Sequence, residues 1–175
     1  MGNTKRVALV TGSASGIGSA VAIRLANESF NTIVNYSRSA DSASNTAEKC
    51  NAAGSDTLLV QCDVSNEAGV VSMLGDIEQK YGRLDVVVNN AGTSISTLAK
   101  NFDKVSEEEF DRVLAVNVKG MFLVAKHSKA LLNEGIDPCI INTASIVGLR
   151  PGPQPLPYSA SKAAVISMTQ SLSFA

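Results

Sequence analysis

Tryptophan is absent from this 175-residue chain, and aromatic residues make up only 5% of it. Single-strand nucleic-acid platforms stack bases on such rings, so the composition excludes that class. Neither sign of charge dominates: 15 Lys and Arg stand against 16 Asp and Glu, a formal net charge of −1. No basic surface for nucleic acid or for anionic lipid is expected. No apolar run approaches the length of a membrane span, and no leader-like segment opens the chain. The single histidine, His127, lies in the polar run Lys126-His127-Ser128-Lys129 and reads as structural, which removes a Ser-His-Asp hydrolase. Cys50, Cys62 and Cys139 are far apart and show no metal-ligand spacing. Their odd number fits a reducing cytoplasm, and no His or carboxylate cluster points to a metal.

What is present is a hydrophobic fraction of 45%, arranged as alternating strand and helix patterns. Short apolar runs predict strands at 7–11, 32–36, 57–62, 84–88 and 139–143. Apolar residues at helical spacing fall between them: Ile17, Val21 and Leu25; then Val70, Leu74, Ile77 and Tyr81. Ser106-Glu107-Glu108-Glu109 reads as a capped helix start, and that helix runs through Phe110, Val113, Leu114, Met121 and Val124. A loop with four prolines over 145–157 precedes a last helix near Tyr158. This order predicts an α/β fold with a doubly wound parallel sheet of five strands, built as one domain over 1–175 after a short tail at 1–4.

Gly12, Gly16 and Gly18 fall between the first strand and the first helix. There glycine permits a tight turn and close backbone approach to a pyrophosphate, whose charge the helix N-terminus favours. Ser13 and Ser15 offer hydroxyl donors beside it. The plain alternative is an ordinary glycine-rich turn. No Lys-Ser/Thr follows the glycines, so this is not a Walker loop. An acid that would meet a free ribose 2′-hydroxyl is missing after the second strand, where the chain reads Asn35-Tyr36-Ser37-Arg38. Arg38, aided by Ser37, suits a 2′-phosphate, unless it is simply a solvated loop arginine. Asp63, just after the third strand, is either an adenine contact or a turn cap.

Tyr158 and Lys162 lie four residues apart, one helical turn on one face. A free phenol, with a pKa near ~10, transfers protons poorly at neutral pH. A cation beside a phenol favours its phenolate and makes it a usable acid/base partner for an alcohol or carbonyl oxygen. A solvated helix face is the bland reading of the same spacing. Asn117 sits on the apolar stripe of its helix, as a satisfied core amide, a kink or a group that positions water behind the lysine. Ser145 follows the fifth strand, as a turn serine or as a hydrogen-bond donor to a substrate oxygen.

Taken in order, Thr11-Gly12-x-x-x-Gly16-Ile17-Gly18, Asp63-Val64, Asn89-Asn90-Ala91-Gly92, Asn117, Ser145 and Tyr158-x-x-x-Lys162 resemble the motifs of the short-chain dehydrogenase/reductase family. The resemblance implies an NAD(P)-dependent enzyme that moves a hydride between the cofactor and a carbonyl, secondary alcohol or acyl-thioester substrate. It makes Tyr158 the acid/base, Ser145 the group orienting the substrate oxygen, and Lys162 a ligand of the nicotinamide ribose that supports the phenolate. Asn117 would hold the water of a proton relay. Gly12, Ser13, Ser15, Gly16, Ile17 and Gly18 would line the pyrophosphate, Asp63 and Val64 the adenine, and Asn90, Ala91 and Gly92 the adenosine ribose and nicotinamide side. The 35–38 segment resembles NADP-preferring members, particularly 3-oxoacyl-acyl-carrier-protein reductases, so NADP(H) is the expected cofactor and NAD(H) the alternative. Family members continue through further strands and a substrate loop. The chain thus reads as C-terminally incomplete, and a nucleotide-binding fragment without catalysis is the competing expectation. Of the two long helices that pair subunits in most family members, both are present and the second is cut short, which implies a homo-oligomer, dimer or tetramer, for the full-length form.

Overall fold

Continuous apolar runs make strands that are covered on both faces, and these need parallel pairing with crossover helices. The computed structural model describes residues 5–174; the tail expected at 1–4 lies outside them. Strands β1 (Val7–Val10), β2 (Asn31–Tyr36), β3 (Leu58–Gln61), β4 (Val86–Asn89) and β5 (Cys139–Asn142) form one sheet in the order β3-β2-β1-β4-β5. Every pairing is parallel. The helices are α1 (Gly16–Asn27), α2 (Ala40–Ala52), α3 (Glu67–Tyr81), α4 (Glu107–Leu114), α5 (Met121–Asn133) and α6 (Leu156–Leu172). The doubly wound α/β arrangement expected from the sequence is the one observed. None of the helices described is long and apolar enough to cross a membrane.

Strand side chains alternate between faces, and the core divides accordingly. Val7 and Leu9 point to one side, with Ile33, Val87, Val70, Ile77 and Val124. Ala8 and Val10 point to the other, with Val34, Val88, Ala22, Ala26 and Ala43. The small alanines of α1 and α2 let those helices lie close to the sheet. α3 ends on a glycine: Gly82 adopts φ 67° at the C-cap and returns its N–H to the Glu78 carbonyl.

The run at 84–88 predicts a strand from Leu84, but β4 starts at Val86. The Leu84 N–H donates instead to the Leu131 carbonyl of α5 at 2.9 Å. The long helix expected from Ser106 to Val124 starts on a true capping box with Glu109. It is then interrupted by a π turn over Ala115–Gly120 before α5 begins. Such turns break the regular backbone ladder and recur at functional sites. Asn117 sits inside this one. Two 3-10 turns, Ala99–Lys104 and Ile146–Gly148, lie in stretches with no periodic signal.

The sheet order places β1 beside β4, although two strands intervene in sequence. The crevice where the chain reverses direction across the sheet is therefore at the carboxyl ends of β1 and β4. Ligands bind at this place in open α/β sheets. Thr11-Gly12 and Asn89-Asn90 are the residues that emerge there.

Candidate active site

The turn after β1 is held open by its neighbours. Gly12 has φ +62°, and a Cβ there would lie 2.7 Å from the Ala91 Cα, so only glycine fits. The Gly12 N–H donates to Asn35 Oδ1 at 3.1 Å. The Asn90 amide donates to the Thr11 and Gly12 carbonyls, both at 3.0 Å. Thr11 Oγ1 in turn accepts from the backbone N–H of Asn90 and of Ala91. These bonds lock the 11–12 and 90–91 segments into one wall. Beyond it, the first turn of α1 has no side-chain cap and no acid, and Ile17 is 67% exposed. An uncapped N-terminus facing solvent is suited to an anion.

A cleft of about 180 Å³ brings Gly12, Ser37, Arg38, Asp63, Val64 and the 90–93 segment together. Arg38 is exposed and makes no ion pair among the described residues. Asp63 is held on both oxygens. Oδ1 accepts from the Ser65 N–H (3.0 Å) and hydroxyl (2.7 Å), and Oδ2 accepts from Arg112 Nη1 (3.0 Å). Partial burial would raise this carboxyl, but the Ser65 donors and the Arg112 cation outweigh it and hold the group below the usual carboxylate value.

Lys162 is 6% exposed. Its Nζ donates to the Thr143 carbonyl at 2.7 Å and lies 5.7 Å from the centre of the Tyr158 ring. Burial pushes its ammonium below the ordinary lysine value. Gly92 stands next to it: a Cβ there would come within 3.9 Å of Lys162 Nζ and 3.4 Å of Asn117 Oδ1. The wall formed by the 11–12 and 90–91 segments and the lysine therefore meet at Gly92. Gly148, just after Ser145, packs so closely on α6 that a Cβ would lie 2.7 Å from the Lys162 backbone. That contact fixes the Ser145 turn against the helix that carries Tyr158.

Comparison with known proteins gives this arrangement its class. The sequence profile described as short chain dehydrogenase matches residues 6–175. The chain belongs to the short-chain dehydrogenase family. It is 36% identical over 164 residues to a 3-oxoacyl-[acyl-carrier-protein] reductase FabG of Staphylococcus aureus, covering 94% of this chain and 65% of that one. It is 39% identical over 161 residues to elsinochrome reductase 1 of Elsinoe fawcettii, covering 91% of this chain and 58% of that one. The chain thus spans about two thirds or less of these relatives' length. A crystal structure of a short-chain dehydrogenase/reductase from Burkholderia xenovorans superposes with a TM-score of 0.94 at 31% identity, over 97% of this chain and 71% of that one. A NAD+-bound xylitol dehydrogenase gives 0.89 at 28% identity, over 97% and 65%.

Within the family frame, several of the expected residues have side chains already engaged by the fold. Ser13 is fully buried, and its hydroxyl donates to the Val10 carbonyl at 2.7 Å and accepts from the Asn35 N–H at 3.1 Å. It braces β1 against β2 and does not face outward as a phosphate donor; Ser15 is exposed. The Asn117 amide is engaged at both ends: Oδ1 accepts from the Thr93 N–H (2.7 Å), and Nδ2 donates to the Thr93 carbonyl and Ser161 Oγ (both 2.9 Å). Its side chain is a brace for the 92–93 segment. Beside it, a void of about 10 Å³ is bounded by Asn89, Thr143 and Lys162, on the order of one water in size. Ser145 Oγ accepts only a long bond from the Val147 N–H, 3.5 Å. Sequence reasoning missed Asn35, Arg112 and Ser161. Ser161 Oγ donates to the Tyr158 carbonyl at 2.7 Å and so ties α6 to Asn117. A serine next to Lys162 is its only signal in the sequence.

Proposed function

We propose that the protein is an NADP(H)-dependent oxidoreductase that interconverts a carbonyl and a secondary alcohol, with Tyr158 as acid/base. The observation that carries this reading is the meeting at Gly92 of a glycine-walled nucleotide cleft and a buried lysine one turn from a tyrosine. The residues present fit a dinucleotide. The positive-φ glycine turn and uncapped α1 suit a pyrophosphate, the free Arg38 suits a 2′-phosphate, and Asp63 with Val64 suits the adenine. When bound, NADP(H) supplies or accepts the hydride.

The chain's own residues do the rest. Ser145 donates to the substrate oxygen and orients it. Tyr158 gives its phenolic proton to that oxygen as reduction proceeds, or takes it back in oxidation. Lys162 holds the ribose and stabilises the phenolate left on Tyr158. After reduction the Tyr158 phenolate regains its proton through Lys162, from the side of the void bounded by Asn117 and Thr143. Exposed Ile146 and Leu149 follow Ser145 directly and favour an apolar flank on the substrate. With the FabG relatives, this makes a 3-oxoacyl thioester a first candidate. The three cysteines are unpaired, in keeping with a reducing cytoplasm.

Cofactor choice is tested at Arg38. Its replacement by alanine is expected to weaken NADPH binding by about tenfold to a hundredfold, the scale of a charge-assisted contact, with little change for NADH. Titration of both cofactors against the protein and its variant measures this; equal affinity of the unaltered protein for the two would sink the NADP assignment.

The reading also includes self-association. Leu114, Val118 and Phe122 from the α4–α5 rod, with Ala164 and Met168 of α6, line an open apolar groove, and Phe122 is 44% exposed. A second copy of the same helix pair is the occupant that the family resemblance implies. Phe122→Asp should shift the protein to a smaller species in sedimentation velocity, and an unchanged mass distribution would refute this face as the contact.

A further inference from the structure

Asp63 has a limited number of acceptor sites, and most are already used. A carboxylate offers about four lone-pair positions, two on each oxygen. Oδ1 takes two donors, both from Ser65. Oδ2 takes one, from Arg112 Nη1, and keeps one position free. The same Nη1 also donates to Ser65 Oγ at 3.1 Å, closing a ring of three residues. Ser65 holds Oδ1 locally and would by itself leave Oδ2 able to swing. Arg112 reaches over from α4, 49 residues along the chain, and supplies the second fixed point. Both Asp63 and Arg112 line the cleft that also holds Arg38.

We infer that Arg112 is a positioning residue that gives the cleft its choice of base, by fixing Asp63 with one acceptor site turned to the base edge. The inference rests on the reading of this cleft as the adenosine side of a dinucleotide site. A purine 6-amino group is a donor and fills the free position on Oδ2. A 6-oxo group in its place is an acceptor and meets a carboxylate oxygen held against it. The selection would be for adenine over hypoxanthine, and its strength depends on the carboxylate being unable to turn away. Asp63 and Arg112 are both partly exposed, so solvent screens the discrimination.

Dissociation constants for NADPH and for its hypoxanthine analogue, from fluorescence titration, test this directly. The unaltered protein should bind NADPH about tenfold tighter, as expected of one screened charge-assisted hydrogen bond. Arg112 is exposed on α4, and Arg112→Met keeps the stem of the side chain, so folding should not suffer. In that variant NADPH should weaken while the analogue stays within about twofold, bringing the ratio toward one. An unchanged ratio, whether both ligands weaken equally or neither changes, would overturn the inference. Asp63→Ala separates the two layers of the argument. If it abolishes the preference and Arg112→Met does not, the base-edge reading of Asp63 stands and the role of Arg112 falls. A protein with no base preference, or one that binds neither ligand, removes the reading of the cleft itself, and the inference with it.

Discussion

Replacing Tyr158 by phenylalanine is expected to lower carbonyl-dependent NADPH oxidation by about 10²–10⁴-fold, the usual contribution of a general acid–base group. NADPH binding should persist. The substitution removes one oxygen and its proton and keeps the ring, so the first turn of α6 stays packed. The Ser161 bond to the residue 158 carbonyl, at 2.7 Å, is made by the backbone and survives. Lys162 keeps its own anchor on the Thr143 carbonyl. Steady-state rates and a cofactor titration on the same sample separate the two effects. Near-normal turnover in the phenylalanine variant would show that another group moves the proton.

The second large effect concerns stability and lies far from the site. Asp85, at the foot of β4, has no solvent exposure. Its Oδ2 accepts from the Val7 N–H at 2.7 Å and Arg83 Nε at 3.1 Å; its Oδ1 accepts from the Ile136 N–H at 2.6 Å and from Arg83 Nη2. One carboxylate therefore joins the start of β1, the start of β4 and the loop before β5. Asp85→Ala strands two backbone donors and a largely buried guanidinium, at a cost of about 3–5 kcal/mol. That is a large part of the roughly 5–15 kcal/mol that holds a typical domain folded. A urea titration reads it as a lower midpoint at nearly constant slope.

The same group sets a pH dependence. Burial would raise the Asp85 carboxyl, but Arg83 and the two backbone donors outweigh it and hold it below the ordinary value. A carboxyl whose folded pKa is depressed contributes stability that is full above the unfolded value, near ~3.9, and is lost as pH falls through the folded value. Below about pH 4 the unaltered protein should lose stability with acid more steeply than Asp85→Asn, which has no proton to take up. Parallel acid-unfolding curves for the two would contradict this assignment.

Local signals explain what could be read from the sequence. The apolar runs at Val7 and Leu84 and the capping box at Ser106 are encoded within a few residues, and the elements they predict are present. The glycine turn and the Tyr158–Lys162 pair are legible because each has a short, fixed spacing, whereas the Asn90–Gly92 segment is legible only through its resemblance to a family motif. Long-range pairings were not visible. Asp85 with Val7, Asp63 with Arg112 and Asn117 with Ser161 join residues 44 to 78 positions apart. Composition and periodicity say nothing about such partners. Ser13 shows the same limit on a small scale. Its place in the turn suggests a phosphate donor, and only the folded backbone reveals that Val10 and Asn35 have taken its hydroxyl. The π turn at Asn117 has no propensity signature either, since its residues fit the apolar helical stripe.

Transfer of deuterium from NADPH labelled at the nicotinamide C4 tests the central claim most directly. The protein would be incubated with the labelled cofactor and a set of ketones and 3-oxoacyl thioesters, and the alcohol products analysed by mass spectrometry. The account predicts an alcohol carrying one deuterium on its carbinol carbon, formed by the unaltered protein and nearly lost in Tyr158→Phe. Bound NADPH with no label in any product, or a label that passes equally well without the Tyr158 hydroxyl, would contradict it.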